Sequence, residues 1–256
     1  MSVDFAYAQA RAQARHGDRL PAARWRMLES SRGLAQYVHT ARGTMLAPRV
    51  RHFSATSSAH AIERSLRRDW RAAVRNASRW PPRRWREAVA WTAWLPDLPA
   101  LSHLMAGGAV LPWMEDDPVL SAFALHDAEA RRQVIGRWAR DASPAADGQD
   151  GLLFWWTERW QALWPACGAH QKALLELLHL LHGHIDLMRD VAVGPATAED
   201  IRQDLERQVV RLLRTRTQQP VTVFCHLLLT AVEFWRLRSG LIRRALPDAV
   251  VAEHRQ

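Results

Sequence analysis

Lysine is almost missing from this sequence: Lys172 stands alone, so nearly all of the 35 basic residues are arginine. Cysteine occurs twice, as Cys167 and Cys225, and neither lies in a CxxC. That excludes a disulfide framework and a paired-thiol redox motif. Both are expected to be free thiols in a reducing compartment. No apolar run reaches the ~18–20 residues a bilayer span needs. Leu152-Leu-Phe-Trp-Trp is far too short, and Val221–Trp235 carries His226 and Glu233. The opening Met1-Ser-Val-Asp-Phe-Ala-Tyr lacks the basic and apolar regions of a signal peptide. The expectation is a soluble protein, able to sit against a membrane assembly. β-Branched alternation is absent, so no strand is predicted. P-loop, GxGxxG, GxSxG and HExxH patterns are also absent, and the sequence specifies no catalysis.

What is present is charge and helical periodicity. The formal charge of +9 fits a polyanionic partner: nucleic acid, an anionic membrane surface or an acidic protein. The arginines are spread along the chain, which equally describes a solvated helical surface whose Arg stems cover apolar neighbours. The spacing predicts an all-α fold. Helices are expected over 2–16, 21–30, 32–41, 58–80, 82–94, 99–105, 117–140, 151–164, 168–193, 197–217 and 220–246, with a loop over 43–57. Ile62, Leu66, Trp70 and Val74 recur every four residues along the 58–80 segment, opposite Arg64, Arg67, Arg68, Arg71 and Arg75. Asp117-Pro118 reads as a cap followed by a first-turn proline, and Thr197-Ala-Glu-Asp200 as a capping box. Residues 141–151, rich in Ala, Asp, Gly, Ser and Pro, are the expected linker between helical modules 1–140 and 152–256.

Three constellations carry chemistry-bearing residues. His179, His182 and Asp186 share one helical face, enough ligands for Zn or Fe(II), but no second helix offers a matching set. They read as a solvated helix face, with metal as the weaker alternative, and no cofactor is expected. The 13 tryptophans, clustered around Trp80–Trp94 and Trp155–Trp164, sit at core spacing rather than on an exposed stacking platform. In the closing helix, Phe224, Leu228, Ala231, Trp235 and Leu241/Ile242 form a stripe, and Glu233 is the only acid before Arg236, Arg238, Arg243 and Arg244. Glu233 is expected to pair with the arginines three and five residues on, as a packing device.

Both ends of the chain resemble the C/d subunits of V-type and archaeal A-type ATPases. The resemblance rests on Phe5-Ala-Tyr-Ala-Gln-Ala-Arg11, then Leu20, Trp25-Arg-Met-Leu28 and Arg32–Val38. It continues in Asp97-Leu-Pro-Ala-Leu-Ser-His-Leu104, where Ala100 and Ser102 depart from the family pattern. It ends in Gln219-Pro-Val-x-x-Phe224 and Glu233-Phe-Trp-Arg-Leu-Arg238, where Arg236 replaces an Asn. About half of the chain is covered. The resemblance implies a multi-helix array of related modules, here an incomplete funnel with a reduced middle module. It further implies a non-catalytic adaptor linking the central-stalk rotor to the membrane c-ring and transmitting torque for proton or sodium transport. The implied location is cytoplasmic, peripheral to the inner membrane through the complex, with membrane-surface contact. Tyr7, Arg11, Asp97, Glu233, Arg236 and Arg238 are the implied motif positions. A basic helical nucleic-acid-binding protein is the alternative, placed behind it, and a His-rich metal protein comes last.

Overall fold

A computed structural model describes residues 5–139, 148–166, 168–190 and 195–246. The described residues hold α-helices and short 3-10 turns and no strand, so the chain is all-α. The helices are α1 Ala6–Gly17, α2 Ala22–Glu29, α3 Leu34–Arg42, α4 Ala47–Val50, α5 Ala59–Ala77, α6 Arg86–Trp91 and α7 Leu98–Met105. They continue as α8 Pro112–Glu115, α9 Ala128–Ala139, α10 Gly148–Ala162, α11 Gly168–Asp190, α12 Pro195–Thr215 and α13 Val221–Ala245.

Local chemistry sets several boundaries. The Ser58 hydroxyl accepts from the Ala61 amide at 3.2 Å and caps α5. At the end of α7, Gly107 takes φ +83°, its amide bonding Leu104 O while the Gly108 amide reaches His103 O. This is the reciprocal pair of bonds that closes a helix through a left-handed glycine. Asp117-Pro118 does not open a helix. The Asp117 carboxylate instead accepts from the amides of Val119 and Leu120, at 2.9 and 3.2 Å, and stabilises a turn. The helix starts ten residues later, where Asp127 caps the amides of Glu129 and Ala130. Likewise α12 begins at Pro195, so the Thr197–Asp200 box falls inside the helix and not at its start. The loop expected over 43–57 contains the short α4.

The chain divides into two compact units: residues 1–86 with 166–256, and residues 87–165. The first and last thirds therefore share one unit. Of the expected linker, residues 141–147 lie outside the described residues, and 148–151 begin α10.

In the first unit α13 is the central helix, packed against α1, α3, α5, α11 and α12. Phe5, Ala8 and Ala12 of the first segment, and Ile62, Leu66, Trp70 and Val74 of α5, are buried as their spacing predicts. The stripe read for α13 is largely the wrong side. Phe224 and Leu241 are buried, but Leu228, Ala231 and Ile242 are half-buried and Trp235 is 43% exposed. Neighbours on several sides enclose Val221, Val223, Cys225, Leu227 and Leu229 instead, so periodicity alone does not pick the core face. Where α13 crosses α3, Gly240 lies against the fully buried Tyr37 ring, and a Cβ there would overlap the ring and its hydroxyl. The glycine is required by close approach, not by its backbone angles.

The second unit has a core of large aromatics. Trp91, Trp94, Phe123, Trp138 and Trp155 form a chain of edge-to-face, tilted and stacked pairs with centroids 4.6–6.4 Å apart. Trp91 donates its indole N–H to Trp156 O at 3.1 Å, which satisfies a polar atom in that setting.

Candidate functional site

Most of the implied motif positions gather around α13, but not as a locally paired helix face. Glu233 does not bond the arginines that follow it. Its carboxylate accepts from Arg49 Nη1 of α4 at 2.6 Å, and the same guanidinium lies 4.4 Å over the Phe234 ring. Arg236 turns away to Glu29 of α2 at 2.9 Å and to Glu199 of α12 at 3.3 Å, with Trp25 beneath it at 4.9 Å. Arg238 pairs with Glu63 of α5. Arg236 lies near the Glu233 face and Arg238 about 140° round the helix, but each of these side chains is engaged by an opposite charge on a different packed neighbour. One helix thereby ties down α2, α4, α5 and α12 through charge-assisted bonds.

Arg11 of α1 places its guanidinium 5.6 Å from the Trp80 ring, a cation–π contact within the core rim. Tyr7 stands 60% exposed on the same helix. Asp97 is buried at the entrance to α7 and belongs to the second unit, whereas the other five positions belong to the first.

His179, His182 and Asp186 lie exposed along α11, and no group of three His, Cys, Asp or Glu with metal-binding geometry occurs among the described residues. Cys167 lies outside the described residues. Cys225 is a free, fully buried thiol on α13, and burial pushes it well above the usual thiol range, which makes it unreactive. No helix among the described residues is long and apolar enough to cross a membrane.

Two positions escaped the sequence reading. Gln9, 7% exposed in α1, accepts from the Gln218 amide at 3.2 Å and from the Thr222 hydroxyl at 2.8 Å. It thereby holds the turn between α12 and α13, where Gln218 takes φ +56°. Nothing in the local sequence marks this glutamine. The His226 ring lies tilted against Trp80 with centroids 4.9 Å apart, and burial, then the charges of Arg15, Arg49, Arg19 and His16, lower its pKa to about 4. Between that value and the ordinary ~6.5 the unfolded chain binds the proton and the folded chain does not. Stability therefore rises with pH across this window and is lost as pH falls from 6.5 toward 4, by at most ~1.4 kcal/mol per pH unit. Replacing His226→Gln should flatten that part of the stability profile, measured by urea unfolding at stepped pH. An unchanged slope would show that other groups cause it.

No protein-family model, no curated protein and no solved structure matches this chain.

Proposed function

We propose that the chain is a non-catalytic adaptor subunit of a V-type-like rotary ATPase, joining the central-stalk rotor to the membrane proteolipid ring and passing torque between them. The observation that carries the reading is that the two terminal stretches with the family-like motifs pack together. Helix α1 lies on α13, so the aromatic-x-x-Ala-Arg segment and the Pro–Glu–Arg segment build one helical unit. A torque-bearing adaptor needs helices that do not slide, and α13 is tied to its neighbours by ion pairs from Glu233, Arg236 and Arg238. Exposed Tyr7 on α1 and the exposed Arg75, Arg79 and Arg83 would face partner loops or lipid head groups.

Nucleic acid fits less well. Trp80 and Trp85, interleaved with those arginines, are buried at 6% and 1% exposure and offer no stacking surface to bases. An affinity-tagged chain isolated from detergent-solubilised membranes is expected to bring down central-stalk and proteolipid-ring subunits in stoichiometric amount. Their absence, together with oligonucleotide binding that weakens steeply with salt, would replace this reading by the nucleic-acid one.

A further inference from the structure

A cavity of about 100 Å³ opens in the first unit among α1, the turn after it, α4 and α13. One water needs only ~10–15 Å³ of such volume, so there is room for a ligand of several heavy atoms. Its walls carry Arg15 and His16 from the end of α1, Arg19 from the turn after it, Arg49 from α4 and His226 from α13, beside the carboxylates of Asp18 and Glu233. We infer that this cavity is a binding site for a small tetrahedral oxyanion of the phosphate type.

The hydrogen-bond inventory supports the assignment. Arg49 gives Nη1 to Glu233, and Arg19 gives Nη2 to Glu206 and Leu229 O, both at 3.3 Å. Arg15 stands 3.7 Å from Asp18, too far for a hydrogen bond, with half its side chain exposed. Each guanidinium carries five N–H donors, so most remain unspent. Arg19 Nε and His16 Nδ1 are buried and have no hydrogen-bond partner among the described residues. Arg19 and His16 both line the cavity, and an acceptor bound beside them would satisfy atoms otherwise left unpaired. The donors come from three separate elements and so approach from different directions. A planar carboxylate offers two oxygens to one fork, whereas a tetrahedral oxyanion offers four to several.

The electrostatics run the same way. His16 is pushed below its ordinary range by burial and by Arg19 and Arg214, against Glu206. His226 is held down by burial and by Arg15, Arg49, Arg19 and His16. An anion among these groups reverses the repulsion, favours both imidazoliums and draws protons in as it binds. This site does not rest on the adaptor reading, although the Arg49–Glu233 pair invoked there also lines the cavity.

Calorimetric titration of inorganic phosphate into the full chain, at constant ionic strength set with chloride, tests it. Saturable one-to-one binding is expected, with proton uptake seen as an enthalpy that depends on the buffer's ionisation heat. Arg15→Gln and His16→Gln together should weaken binding by about tenfold or more, the loss of one or two charge-assisted hydrogen bonds. Both leave the Arg49–Glu233 pair intact. Arg15→Gln alone, at the half-exposed mouth, serves if the double variant fails to fold and should weaken binding severalfold. No saturable phosphate heat, or unchanged affinity in folded variants, would overturn the assignment. Acetate binding as tightly as phosphate would overturn it too, by giving the cavity to a carboxylate.

Discussion

Trp70→Ala is expected to destabilise the unit that contains it by about 3–5 kcal/mol, the range for removing a large aromatic from a packed core. Trp70 is 3% exposed on α5 and meets Phe234 of α13 edge-to-face, with centroids 6.1 Å apart. The α5–α13 contact is the most extensive between helices of the unit, and the lost indole cannot be refilled by Leu66 or Val74 without moving α5 as a body. For a unit of this size the melting midpoint should fall by about 10 °C. Thermal unfolding followed by far-UV circular dichroism reads the change. A drop of only a degree or two would mean that the helices collapse onto the gap, and that Trp70 is not a keystone of this contact.

Glu233→Ala should cost roughly 2 kcal/mol, below the 3–5 kcal/mol of a fully buried broken pair because Arg49 keeps a quarter of its side chain in water. The loss comes from leaving the Arg49 guanidinium against Phe234 without its carboxylate. Removing both charges together, as Arg49→Met with Glu233→Leu, should restore much of it, since an apolar pair carries no desolvation debt. Urea denaturation of the two single variants and the double variant gives the coupling energy, expected at 1 kcal/mol or more. Additive single effects would show that the pair does not hold α4 to α13. The same cycle between Glu233 and Arg236 should give no comparable coupling, because Arg236 is engaged with Glu29 and Glu199.

These two experiments touch opposite sides of what sequence can reveal. Trp70 was legible because Ile62, Leu66, Trp70 and Val74 repeat at the helical period, and α5 presents only one face to the core. For α13 the same argument misplaced the buried side, since a helix enclosed by several neighbours has no single apolar stripe. The Glu233 partner was misread for a related reason. Local spacing proposes Arg236 and Arg238, whereas the observed partner, Arg49, lies 184 positions away. The motif positions on α1 and α13 were read from local pattern, and the bonds they make were not foreseeable from it.

The distinction extends to single residues. Asp117-Pro118 carries every local sign of a helix start, yet the carboxylate closes a turn and the helix waits for Asp127. Gln9, Gly240 and the cation-lined cavity carry no local signal at all, because each is defined by what a distant helix brings to it.

By itself, then, the sequence determined the all-helical class, some helix ends such as those at Ser58 and Gly107-Gly108, and the apolar faces of α1 and α5. Those follow from backbone preference and short-range periodicity, which act within a few residues. Only the tertiary structure decided that the two ends share one unit, which sides of α13 are buried, which charges pair, and where cationic side chains converge. Those depend on contacts between residues far apart in sequence, and nothing in a local pattern encodes which neighbour will arrive.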